Sequence, residues 1–101
     1  MYRTCKWFTK NRLHKMYKLW QQDKQHGTDF FKLLRIYIEN ERRITDTAAV
    51  MNLHRNSLPY RINRMQDILG MDLSNPAVRK QISYCFILLD LYGFGKGQDT
   101  I

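Results

Sequence analysis

Ala48-Ala49, followed at once by Val50-Met51 and then Asn52-Leu53-His54-Arg55-Asn56-Ser57-Leu58-Pro59-Tyr60-Arg61, carries the parts of a tight joint between two helices. Two short helices that cross steeply need small residues where they touch, a bend that tolerates positive φ, and apolar anchors on the second helix. Ala48 permits the close approach. Asn52 enters the left-handed region more easily than most non-glycine residues. Leu53, Leu58 and Ile62 close a small core between the helices and leave the polar residues outward. The expectation is a helix-turn-helix.

The second helix extends this reading. Leu58, Ile62, Met65 and Leu69 follow one another at spacings of four, three and four, one face of an α-helix, and Gly70 stops it. Upstream, Thr45 is the expected N-cap of the first helix of the joint, with Ile44 packing back as a staple. Thr28 or Asp29 caps an earlier helix whose inward stripe is Phe30, Leu34, Tyr37 and Ile38, ending near Asn40. Glu41-Arg42-Arg43 is a charged connector. From about Thr9 to Gln25, Leu13, Met16, Tyr17 and Trp20 recur at helical spacing, and Gly27 ends that segment. Asn75 with Pro76 at the first helical position opens a last helix running to about Tyr92. The fold class is therefore all-α: a small helical domain of four to five helices containing a helix-turn-helix, with no convincing strand.

A chain of 101 residues makes one domain with a modest core. It divides into residues 1–27, a basic amphipathic lead-in helix that can close an upstream domain; residues 28–92, the helix-turn-helix domain; and residues 93–101, a frayed tail. Cys5 and Cys85 lie far apart without a CxxC or histidine partner, and Cys85 sits in an apolar stretch, so a buried inert thiol in a reducing compartment is expected. Met1 is followed by basic and aromatic residues, not an apolar leader, and the longest apolar run, Tyr84 to Leu89, is far short of the ~20 residues a bilayer requires. The reading is cytoplasmic, without membrane contact.

Seventeen Lys and Arg against nine Asp and Glu give a formal charge of +8, which suits a polyanionic partner without identifying it. Residues 1–28 hold seven basic and one acidic side chain (+6), and residues 29–101 hold ten and eight (+2). The excess therefore lies mostly outside the proposed reading helix. The last helix has two apolar stripes: Val78, Ile82, Cys85 and Leu89 on one side, and Tyr84, Ile87, Leu88 and Leu91 roughly opposite. Burial of both within a monomer and a homodimer seam through the second stripe are the two readings.

From Phe30 onward the order of residues resembles the C-terminal helix-turn-helix domain of the PucR/CdaR-type bacterial transcription regulators. The positions that carry the likeness are Tyr37 and Asn40; Thr47-Ala48; His54-Arg55-Asn56-Ser57-Leu58; Tyr60-Arg61-Ile62; and Asp72-Leu73, Pro76 and Arg79. Asp23 and Gly27-Thr28 match the approach to the family's first helix more weakly. The resemblance implies double-stranded DNA as partner, and a domain that generally ends a longer, ligand-sensing chain, hence a fragment or a short variant. Three departures stand out. Glu41-Arg42-Arg43 replaces a Gly-Asn connector, Ser57 replaces threonine, and Pro59 stands where a helix-tolerant residue is common. Interior proline costs a helix about 3 kcal/mol, but in the first turn it costs little. The regular helix is accordingly expected to start at Asn56 or Ser57, not at His54, within a recognition helix of about 55–69.

With Leu58, Ile62, Met65 and Leu69 inward, steps of about 100° per residue put Asn56, Tyr60, Asn63 and Asp67 on the far side, with Arg64 and Arg55 on the flanks. Arginine can bond bidentately to guanine and asparagine to adenine, which suits Arg55 and Asn56 at the leading end. Tyr60, Arg61 and Arg64 are placed for phosphates, and Thr45 and Thr47 for another phosphate at the positive end of the preceding helix. His54 and Ser57 complete the candidate set. Arg61 alternatively pairs with an acid or lies along the core, His54 alternatively shapes the helix entry, and Tyr60 alternatively packs.

Catalysis is not expected. His14, His26 and His54 lack metal-ligand spacing, and Gly93-Phe94-Gly95-Lys96-Gly97 follows no strand, so no cofactor or metal is implied. The rival to DNA binding is a protein-interaction or dimerisation module that reuses the helix-turn-helix shape.

Overall fold

The computed structural model describes residues 2–92, with side chains from Asn11 onward. The tail at 93–101, with its glycine run, and Cys5 lie outside the described side chains. Five helices follow in order: α1 (Tyr2–His26), α2 (Phe30–Glu39), α3 (Ile44–Met51), α4 (Leu58–Leu69) and α5 (Pro76–Leu91). No strand occurs among the described residues. Nor is any described helix long and apolar enough to cross a membrane.

One core joins all five helices. Leu58, Ile62, Met65 and Leu69 of α4 are buried, as their spacing requires, against Leu33, Leu34 and Tyr37 of α2 and Val78, Ile82, Cys85 and Phe86 of α5. From α1 come Met16 and Leu19, both fully buried. Leu19 takes the place expected of Tyr17, which is 44% exposed and stacks on Trp20. The lead-in helix is thus part of the same core. Burial pushes the Cys85 thiol up to about 11, the chemistry of an inert core residue.

The junctions are built by specific polar groups. At the end of α1, Gly27 adopts φ +65, and the Asp23 carboxylate reaches forward to accept the amides of Phe30 (3.0 Å) and Phe31 (2.7 Å) and the hydroxyl of Thr28. Asp29 occupies the N-cap position of α2 without a side-chain cap bond, so the expected Thr28 or Asp29 cap is supplied by Asp23 instead. Asn75 caps α5 as its sequence predicts, accepting the Ala77 amide at 2.9 Å with Pro76 at the helix start. Arg35 of α2 donates both η-nitrogens to Asp90 of α5 and lies 5.2 Å from the Phe86 ring, tying the two helices together.

The α2–α3 connector is where the chain departs most from easy geometry. Glu41 and Arg42 both take left-handed φ (53° and 63°), and the Arg42 amide closes back on the Tyr37 carbonyl at 2.8 Å. A non-glycine residue there costs on the order of 1–2 kcal/mol. Glycine and asparagine adopt such left-handed conformations at less cost. Glu41→Gly is expected to raise stability by about 1 kcal/mol. The Glu41–Arg43 ion pair it removes is exposed on both sides and offsets little of this. Urea unfolding midpoints check the sign, and a lower midpoint would refute the strain argument.

Candidate nucleic-acid interface

The joint itself comes first. Asn52 adopts φ 58, ψ 44 at the end of α3, its amide bonding to Ala49 O (3.2 Å) while the Leu53 amide reaches Ala48 O (2.9 Å). This left-handed cap satisfies the last carbonyls of α3 and swings the chain into the turn. Ala48, 3% exposed, lies in the same buried core as Leu58.

His54 to Ser57 form a turn, not the first residues of a helix. The His54 ring accepts the Asn56 amide through Nδ1 at 3.1 Å, and the Ser57 amide bonds to His54 O at 3.0 Å. Regular helix begins at Leu58 with Ser57 as N-cap, one residue beyond the later of the two expected starts. Pro59 falls in the first turn, where its missing N–H has no intrahelical partner to lose.

His54, Arg55, Asn56, Ser57, Tyr60, Arg61, Asn63 and Arg64 are all exposed. Tyr60 stands 68% in solvent and so does not pack. Arg61 is exposed and does not lie along the core. Among the described residues the ion pairs run from Arg35 to Glu39 and Asp90 and from Arg43 to Glu41 and Asp46, leaving Arg55, Arg61 and Arg64 outside them. The outward face of α4 carries Tyr60, Asn63 and the acidic Asp67, with Arg64 on its flank and Arg61 near the apolar border, and the turn before it adds Arg55 and Asn56.

The preceding helix requires a correction. α3 begins at Ile44 with Arg43 in the cap position, so Thr45 sits in its first turn, exposed, and is not the N-cap. Thr47 is fully buried, its amide held by Arg43 O at 3.0 Å and its hydroxyl without a hydrogen-bond partner among the described residues. Two residues along a helix turn the side chain by about 200°, so Thr45 and Thr47 cannot share a face. Thr47 is a packing residue, not a phosphate contact. A buried unpaired hydroxyl costs about 1–3 kcal/mol, so Thr47→Val is expected to be neutral to stabilising, by up to about 1 kcal/mol, with DNA affinity unchanged. A loss of DNA affinity in a stably folded Thr47→Val variant would restore it to the interface.

Residues 30–87 match the PucR C-terminal helix-turn-helix domain. The chain belongs to this family. Among relatives of the PucR domain, the DNA-binding transcriptional activator AdeR of Bacillus subtilis (strain 168) is 33% identical over 58 residues, 57% of this chain and 14% of that protein. The proline-responsive transcriptional activator PutR of the same organism is 31% identical over 70 residues, 69% of this chain and 16% of that one. The transcriptional activator PmfR of Paenarthrobacter nicotinovorans is 39% identical over 41 residues, 41% of this chain and 9% of that protein. The chain thus aligns with a small part of the length of each. No solved structure matches it.

This PucR domain is a helix-turn-helix of the class carried by DNA-binding regulators, and the family does not favour a module for protein contacts alone. Nor is it a family of enzymes.

Within this PucR domain, several residues that carry the family likeness prove architectural. Asn40 caps α2 by donating to Ile36 O (2.8 Å), and Arg79 holds the carbonyls of Leu73 and Ser74 (both 2.9 Å). The Ser74 hydroxyl and amide bond the Asp72 carboxylate and hold it below its usual pKa. Gln66, absent from the expected set, accepts the Leu73 amide at 2.9 Å and fixes the chain after α4. A glutamine at that spacing carries no sequence signal of its role. Among the described residues no group of three or more His, Cys, Asp or Glu is placed to hold a metal ion.

Proposed function

We propose that the domain recognises specific sequences of double-stranded DNA, as the DNA-binding part of a bacterial transcription regulator acting in the cytoplasm. The turn before α4 and the outer face of α4 enter the major groove. Residues 28–92 form the reading unit, and residues 1–27 are its lead-in helix. The observation that carries this is the solvent-exposed face opposite Leu58, Ile62, Met65 and Leu69, with Arg55 and Asn56 at its leading end. Arg55 and Asn56 contact base edges. Ser57 and Asn63 flank them, and Tyr60, Arg61, Arg64 and Thr45 contact phosphates. His54 shapes the turn through its bond to the Asn56 amide and lies against the backbone of the DNA.

A single module covers only ~600–1,000 Å². Two copies placing their α4 helices ~34 Å apart fit one face of the duplex. Tyr84, Ile87 and Leu91 of α5 are 53%, 58% and 75% exposed, which supports a homodimer through that stripe with Leu88 at its edge. Selection of bound sequences from a random duplex pool tests the reading. A conserved motif is expected, palindromic if the dimer forms, and recovery of an unenriched pool would overturn sequence-specific recognition.

A further inference from the structure

Arg42, absent from the expected interface, occupies a position that does not favour arginine. It takes the second left-handed place of the α2–α3 connector (φ 63°), where glycine or asparagine is at less cost, and its amide is fixed on Tyr37 O at 2.8 Å. A side chain kept at a strained position points to a use for that side chain. The domain itself does not engage it closely. Its neighbour Arg43 is drawn onto Glu41 (2.9 Å) and Asp46 (3.7 Å), whereas Arg42 is exposed and makes no ion pair among the described residues. Asp72 feels its charge, but the Asp72 carboxyl is held below its usual pKa first by the Ser74 hydroxyl, then by the Ser74 amide, and last by Arg42.

The surroundings of Arg42 say what the use is. Arg42 lines a cleft against α4, with Pro59, Asn63 and Gln66 of that helix and Ile44 and Asp72 among the other lining residues. Counting about 100° per residue from Leu58 puts Gln66, Pro59 and Asn63 at about 80–140°, and Arg64 and Arg61 at about 240–300°. The two arginines of α4 therefore share one flank, and Arg42 borders the other, which has no cation of its own. A helix ~10–12 Å across fills a major groove ~12 Å wide, so phosphates run along both of its flanks.

We infer that Arg42 contacts a phosphate of duplex DNA on the wall of the groove opposite the one met by Arg61 and Arg64. The inference rests on the DNA-binding reading and adds to it a residue of the connector. Cations on both flanks hold α4 between two rows of phosphates, which fixes its register while Arg55 and Asn56 read bases at its leading end. The rival use is within the fold, where Arg42 would neutralise Asp72.

The test is Arg42→Gly in the full chain, because it removes the charge and the backbone strain together. The urea midpoint is expected to rise. Affinity for a random-sequence duplex is expected to fall by up to about fivefold at low salt, and the slope of log K against log salt to become shallower by about 0.9. A variant that folds better and binds worse is not explained by unfolding. Arg42→Lys is expected to keep the original slope, and a fall equal to that of the glycine variant would assign the loss to the turn and overturn the inference. An unaltered slope in Arg42→Gly would also overturn it, and a lowered midpoint beside that unaltered slope would give Arg42 to Asp72 instead. Arg64→Ala distinguishes the two levels: a shallower slope there with none in Arg42→Gly removes only the Arg42 contact, whereas no change in either removes the DNA reading as well.

Discussion

Leu58→Ala is expected to lower stability by about 2–5 kcal/mol, a large part of the ~5–15 kcal/mol that holds a single domain together. Leu58 is the first residue of α4 and is 0% exposed. Its side chain belongs to the same buried core as Ala48 of α3, and Ile62 and Met65 continue the same inward face. Truncation leaves a cavity at a place where the helix cannot simply slide in, because Asn52 and the His54 turn fix the chain on one side and Gly70 on the other. In a domain of this size each kcal/mol moves Tm by about 4–8 °C, so a fall of at least about 8 °C is expected. Urea unfolding should show a lower midpoint with an unchanged m-value. A loss below about 1 kcal/mol would mean that the joint does not depend on the anchor its sequence predicts.

The periodic and the locally capped parts of the fold are legible in the sequence. The α4 stripe, the left-handed Asn52, Asn75 with Pro76, and Pro59 in a first turn each follow from an interaction within a few residues. Legibility fails where the partner is remote or the helix phase is ambiguous. Asp23 caps a helix seven and eight residues ahead, across a turn, while Asp29 occupies the local cap position without serving it. Tyr17 and Leu19 both suit an apolar stripe, and only tertiary packing selects Leu19. The left-handed pair Glu41-Arg42 has no glycine to announce it. At the site, the exposed face of α4 was readable from spacing alone, but Thr47 was not a tenable surface residue once Thr45 was one, given the turn per residue. Tyr84, Ile87 and Leu91 of the second apolar stripe of α5 are exposed and Leu88 is half-buried, so burial within the described domain does not account for that stripe.

Arg55→Ala and Arg64→Ala are expected to fail in different ways. Arg55 lies in the turn at the leading end of α4, held there by the His54 ring on the Asn56 amide and by the Leu58 amide on Arg55 O at 3.4 Å. In the proposed reading this guanidinium contacts base edges, and loss of a bidentate contact with guanine would cost about 1–3 kcal/mol of discrimination, roughly 5- to 150-fold against the selected sequence. Binding to random duplex should change much less. Arg64 stands on the flank of α4, exposed and outside the ion pairs of the domain, where a phosphate is its natural partner. Its removal should weaken selected and random duplex alike and reduce the salt slope by about 0.9. Both side chains are solvent-exposed, so neither change should alter the unfolding midpoint by more than about 0.5 kcal/mol equivalent, which keeps binding loss separate from unfolding. Paired titrations of each variant against both duplexes decide the matter, because equal losses on the two duplexes for both variants would reject the assignment of Arg55 to bases and Arg64 to backbone.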